Sequence, residues 1–176
     1  AVFIDDGSPG NFNDFSIYSK SPETIKKYYP LLNEFFDKLE KIFNVEVIIA
    51  SHPKSYNDQK YFNKRKIISF KTSELVDNSE FVITKYSSGL SYAVLSKKPI
   101  LFFYTNEHKK FRRWLKMTKE IANLLGTKAF NIDNDYSENF LRSLMHVNND
   151  AYNRSISNDM TLVKQKQNYQ IIQENI

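Results

Sequence analysis

Continuous apolar runs alternate with amphipathic stretches along most of this chain. Ala1 to Ile4, Val45 to Ala50, Lys66 to Phe70, Phe81 to Thr84 and Ile100 to Tyr104 are short and rich in β-branched and aromatic residues. They lack the polar alternation of a half-exposed sheet, so they predict strands buried on both faces, and Ala129 to Ile132 predicts a shorter last one. Between the first two runs, Ile25, Tyr28, Tyr29, Leu32, Phe35, Phe36, Leu39, Ile42 and Phe43 recur at helical spacing. Ser21-Pro22-Glu23 offers that helix a capped start, and Pro30 is a point where it kinks or divides. Further helices are expected at Tyr56 to Asn63, Thr72 to Asp77, Ser88 to Lys97, Glu107 to Leu125 with Gly126 as its stop, Tyr136 to Val147, and Tyr152 to Ile172. Strands alternating with helices in this way predict an α/β fold with a doubly wound parallel sheet, whose ligands bind outside the carboxyl ends of the strands.

Three short motifs fall on that edge. Asp5-Asp6-Gly7-Ser8 follows the first strand, His52-Pro53 the second, and Tyr86-Ser87-Ser88-Gly89 the fourth. Adjacent side chains on extended backbone point to opposite sides, so one of Asp5 and Asp6 can face a substrate as general base while the other holds the loop. The same four residues also make an ordinary turn. Pro53 keeps His52 extended at the strand tip, where its imidazole can bind a phosphate oxygen or protonate a leaving group, or simply cap the strand. Ser87, Ser88 and Gly89 open a helix whose unpaired N–H groups suit a phosphate, although serines cap helices without any ligand as well. Convergence of the three on one edge favours a site.

Composition narrows the chemistry. The 176 residues suit one domain, and an abrupt start on a strand leads us to expect a piece of a larger protein. Lys and Arg outnumber Asp and Glu by 25 to 20, enough to favour an anionic ligand and too little to require nucleic acid. There is no Cys, which excludes disulfides, thiolate metal sites and a cysteine nucleophile. His108 and His146 lack metal-ligand spacing, and glycine occurs only at Gly7, Gly10, Gly89 and Gly126, so no metal, NAD or P-loop nucleotide is expected. The basic stretch from His108 to Lys116 carries Phe111, Trp114 and Leu115 at helical spacing. It suits either an anionic membrane surface or a solvated face with its aromatic groups in the core.

The ordered set Asp5-Asp6-Gly7-Ser8, His52-Pro53 and Ser87-Ser88 resembles the acidic, HP and serine-pair motifs of bacterial GT-B sialyltransferases. The lipooligosaccharide sialyltransferases of glycosyltransferase family 52 are the nearest in style, with polysialyltransferases related in motif. Val47 to Phe103 also resembles the nucleotide-sugar domain of surface-polysaccharide glycosyltransferases. The resemblance implies a Rossmann-like half of a GT-B enzyme that transfers sialic acid from CMP-sialic acid to a sugar hydroxyl of lipooligosaccharide or capsule, with inversion and without a metal or other cofactor. It implies Asp6 as base, with Asp5 beside it. His52, Pro53, Lys54, Lys85, Ser87, Ser88 and Gly89 are expected around the donor nucleotide and its phosphate. Its partners are a nucleotide-sugar donor and an oligosaccharide or glycolipid acceptor, and its place is the cytoplasm or the inner face of the plasma membrane. Residues 1–20 are then a strand and catalytic loop, or the end of a preceding domain; residues 21–150 bind the nucleotide sugar and residues 151–176 form a closing helix. A CDP- or UDP-linked donor, or a non-catalytic nucleotide-binding domain, are the competing readings.

Overall fold

The computed structural model describes residues 1–7, Pro9, residues 24–52 and residues 59–160. The expected start at Ser21-Pro22-Glu23, the site candidates Pro53 and Lys54, Ser8, and the stretch 161–172 of the closing helix lie outside the described residues. Six parallel strands form one sheet in the order β3-β2-β1-β4-β5-β6, with β1 at Val2–Ile4, β2 at Ile48–Ser51, β3 at Ile67–Ser69, β4 at Val82–Thr84, β5 at Ile100–Tyr104 and β6 at Phe130–Asn131. Val2–Ile4 is therefore a central strand of this sheet: Phe3 registers with Ile49 on one side and Ile83 on the other. The winding direction reverses between β1 and β4, which makes that gap the topological switch point.

Alternation along the strands fills two apolar layers. Phe3, Ile49, Ile83, Leu101 and Phe103 face one cluster, while Val2, Ile4, Ala50, Val82, Ile100 and Phe102 face the other. The central strands β1, β2, β4 and β5 are apolar on both faces, as a parallel sheet covered by helices requires, whereas the edge strand β3, expected to be buried, is only half-buried because it has a neighbour on one side alone. On the first face lies α1, Ile25–Phe43, whose stripe Tyr28, Leu32, Phe35, Phe36 and Leu39 is buried. The helix runs through Pro30 undivided, because this residue sits on the exposed face, where the carbonyl left without a donor can be hydrated. Asn44 ends it in the left-handed region at φ 52°, a conformation that asparagine tolerates. The short α5, Glu138–Ser143, joins α1 on this face, capped by the Ser137 hydroxyl oxygen, which accepts the Phe140 N–H at 3.1 Å.

The second face carries α2 at Thr72–Asp77, α3 at Leu90–Leu95, α4 at Arg112–Leu124 and α6 at Asn149–Ser155. Their buried contacts include Val76, Ala93, Ala122 and Tyr152, and the Tyr152 hydroxyl donates to the Lys98 carbonyl at 2.9 Å. Several helix boundaries differ from the sequence expectation. The stretch expected as one helix from Glu107 to Leu125 breaks at Phe111 into a 3₁₀ turn, His108–Lys110, and α4. Gly126 does stop α4: its φ is +72°, and an added Cβ would lie 2.7 Å from the Asn148 Cβ. Asn148 caps α6 earlier than Tyr152, its side-chain oxygen accepting the Ala151 N–H at 3.0 Å. Of the helix expected from Tyr56 to Asn63, the described residues form a 3₁₀ turn at Gln59–Phe62, and β3 stops before Phe70, which has φ 60° and lies 82 % exposed. No helix among the described residues is long and apolar enough to cross a membrane.

Candidate functional site

β1, β2 and β4 lie side by side, so the loops that leave their carboxyl ends meet over the switch point. A cleft of about 400 Å³ opens there, lined by Ile4, Asp5, Ser51, His52, Thr72 and the Ser87-Ser88-Gly89 turn. Five of the residues singled out by sequence, Asp5, His52, Ser87, Ser88 and Gly89, thus share one cavity. Asp5 is only 5 % exposed, and its carboxylate accepts the Gly7 N–H at 3.0 Å, closing a turn in which Gly7 takes φ +79°. His52 is half-buried at the tip of β2, and its carbonyl accepts the Ser51 hydroxyl at 3.2 Å.

The serine turn differs from the sequence expectation in one respect. The Gly89 N–H donates to Ser87 Oγ at 3.2 Å and the Leu90 N–H to the Ser87 carbonyl at 3.1 Å, so two of the amides expected to meet a phosphate are used locally. α3 has only six residues and therefore a weak dipole. The polar lining of this cleft includes the hydroxyl-bearing Ser51, Thr72, Ser87 and Ser88, the His52 imidazole and the Asp5 carboxylate. Gly89 keeps this wall close: an added Cβ would come within 3.3 Å of the Thr72 methyl and 3.4 Å of the Ile4 methyl, so those side chains would have to give by a few tenths of an ångström.

Asp6 and Lys85 stand apart from that cleft, together. Lys85 Nζ is 3.2 Å from Asp6 Oδ2, with the lysine side chain 2 % exposed and the aspartate 21 %. The same ammonium lies 4.3 Å above the Tyr28 ring centre, a cation–π contact in a dry setting. Asp5 is tied to its own loop and lines the cleft, while Asp6, the more accessible carboxylate, lies outside that lining. Lys85 points its charge at Asp6 and Tyr28, and it is absent from the lining of the His52 cleft.

No protein family model, curated protein or solved structure matches this chain.

One member of this edge escaped the sequence reading. His108, in the turn after β5, is buried at 5 % exposure, and its Nδ1 has no hydrogen-bond partner among the described residues. Burial pushes the imidazole down to about 4, the Lys85 ammonium adds to the fall, and the Asp6 carboxylate opposes it. The available signal was a lone His four residues after a buried strand, but its charged neighbours Glu107, Lys109 and Lys110 and the helical spacing of His108 to Lys116 assigned it to a solvated face. Thr105 at the end of β5 fixes the turn by accepting the His108 N–H on Oγ1 at 3.0 Å.

This histidine carries a pH prediction. Unfolded, it protonates near 6.5 and folded near 4, so between those values the unfolded state binds the additional proton. Its contribution to stability is complete above about pH 6.5 and is lost as the pH falls through 4. The loss is on the order of 3 kcal/mol across the window at about 1.4 kcal/mol per pH unit. In urea titrations between pH 7 and 4, His108→Gln is expected to lose less stability on acidification than the parent. Parallel curves for the two proteins would remove His108 as the cause. Among the described residues no group of His, Asp and Glu is arranged to hold a metal ion.

Proposed function

We propose that this chain is the nucleotide-sugar-binding half of a GT-B glycosyltransferase that moves sialic acid from CMP-sialic acid to a sugar hydroxyl of a surface lipooligosaccharide or capsule. The observation that carries the reading is the single cleft at the switch point that unites Asp5, His52, Ser87, Ser88 and Gly89. In it the Ser87 and Ser88 hydroxyls and the His52 imidazole hold the donor phosphate. Asp6, oriented by Lys85, takes the proton from the acceptor hydroxyl. The acceptor oxygen forms its bond to the anomeric carbon as the bond to the CMP phosphate breaks on the opposite side, which inverts that carbon. His52 donates a proton to the departing phosphate. No metal is required, because the hydroxyls and the imidazole meet the leaving charge.

This reaction belongs at the cytoplasmic side of a bacterial membrane, where the acceptor glycolipid is presented. Arg112, Lys116 and Lys119 are exposed on α4, and they supply the peripheral contact with its anionic surface.

Calorimetric titration with CMP, CDP and UDP tests the binding step. Affinity for CMP above that for UDP is the expected result, and no heat with any of the three ends the nucleotide reading. With CMP-sialic acid as donor and the full-length protein as enzyme, Asp6→Asn and His52→Ala are each expected to lower kcat roughly 10²–10⁴-fold, the usual range for a positioned acid or base. Full turnover in Asp6→Asn would reassign the base.

A further inference from the structure

A second cleft, of about 500 Å³, opens on the carboxyl edge beside the first. Its walls are the first turns of α1 and the loops that follow β5 and β6, and Tyr28 forms part of its lining. That ring carries the Lys85 ammonium over its face, so the second cleft and the Asp6–Lys85 ion pair share one aromatic wall.

The rim of this cleft is tied in place. Asp133 Oδ2 accepts the Asn106 N–H at 2.6 Å, Asn106 Oδ1 accepts from Asn131 Nδ2 at 2.9 Å and from Lys109 Nζ at 3.0 Å, and Asn131 Oδ1 accepts the Asp133 N–H at 3.2 Å. These bonds leave Asp133 Oδ1 as an acceptor and Asn106 Nδ2 as a donor with no partner among the described residues. A fixed donor beside a fixed acceptor suits neighbouring hydroxyls on a ring, and Pro30 and Leu31 provide an apolar surface for its C–H face.

The charges add a second requirement. Glu107 is already committed, accepting the Thr24 N–H at 2.8 Å and standing 3.8 Å from Lys27. Lys26 and Lys110 line the same cleft from its two sides, on α1 and on the turn after β5, and neither has an ion-pair partner among the described residues. Two uncommitted ammonium groups against one rim carboxylate leave an excess of positive charge.

We infer that this second cleft binds an anionic saccharide, its hydroxyls on Asn106 and Asp133 and its phosphate or carboxylate between Lys26 and Lys110. Hydroxyl recognition supplies the specificity, and the paired cations supply an affinity that salt screens. The binding claim is independent of CMP and of transfer, so it survives or fails apart from the function proposed above.

Titration of the whole chain with glucose 6-phosphate, glucuronate, glucose and inorganic phosphate, at low and at 0.5 M salt, tests it. At least one of the two charged sugars is expected to bind tenfold or more tightly than glucose, and which one binds identifies the source of the charge. Lys26→Glu with Lys110→Glu is expected to remove that preference while leaving the thermal midpoint unchanged, since both positions are exposed. Equal affinity for charged and neutral sugars, or unchanged affinity in the double variant, overturns the inference. Inorganic phosphate binding as tightly as glucose 6-phosphate also overturns it, because the cleft would then be an ion site without sugar recognition. A parallel CMP titration reads the first cleft separately.

Discussion

Phe3→Ala is expected to lower the free energy of unfolding by about 3–5 kcal/mol, the range for a buried aromatic residue truncated in a close-packed core. Phe3 is fully buried on β1, and its ring meets Phe36 of α1 at 5.2 Å, Phe62 of the 3₁₀ turn at 6.4 Å and Phe103 of β5 at 6.1 Å between centres. One side chain therefore joins four elements. The space it leaves cannot close by moving β1, because that strand is paired along both edges, to β2 and β4. Urea denaturation of the variant and the parent measures the difference, with an unchanged slope expected. Phe70→Ala is the matched control: at 82 % exposure its effect should stay within about 0.5 kcal/mol. A Phe3→Ala loss no larger than the control's would mean that these rings do not form a packed core.

Arg65→Met is expected to cost about 2–4 kcal/mol, below the full range for a broken buried pair because the carboxylates it leaves reach solvent. The guanidinium is only 8 % exposed, whereas the Glu40 side chain is 29 % and Asp37 63 % exposed. Arg65 Nε and Nη2 donate to the two oxygens of Glu40 at 3.1 and 2.7 Å, Nη2 also donates to Asp37, Nη1 donates to Asn33 Oδ1 at 2.9 Å, and the fork lies over the Phe36 ring. Burial disfavours the charge, but the bonds to Glu40 and Asp37 outweigh it and hold the proton more tightly than usual. The cluster fastens the connection before β3 to α1, and Glu40 extends it by accepting the Val47 N–H at 2.9 Å ahead of β2. Arg65→Lys separates charge from shape. A lysine keeps the charge and cannot span Glu40 and Asn33 together, so most of the loss is expected to remain. Stability in Arg65→Lys equal to the parent would assign the effect to charge alone. Because Arg65 and Phe3 both touch Phe36, the double variant is expected to depart from additivity.

The apolar code determined the layers of this fold by itself. Runs such as Ile100 to Tyr104, apolar at every position, have no face that could meet water, so they require helices on both sides and a parallel sheet. The long stripe from Ile25 to Phe43 likewise specified α1, and the turn chemistry of Gly126 specified the end of α4. Order along the chain also put Asp5, His52 and the serine pair at strand ends, hence on one edge. Short elements were less legible. Side-chain caps such as Asn148 and Ser137, and the break at Phe111, depend on a few local hydrogen bonds that helical spacing does not encode.

Tertiary structure alone decided the partition of that edge. Sequence grouped Asp5 with Asp6 and Lys85 with Ser87; strand order β3-β2-β1-β4-β5-β6 and side-chain direction separate them into a cleft lined by Asp5, His52 and Ser87 and an ion pair of Asp6 with Lys85 on Tyr28. It also brought His108 to that pair and set Lys26 opposite Lys110 across the second cleft. Residues adjacent in sequence on extended backbone point apart, and residues far apart in sequence meet only once the strands carrying them are neighbours. Neighbour order in a parallel sheet comes from crossover connections, which local patterning leaves open.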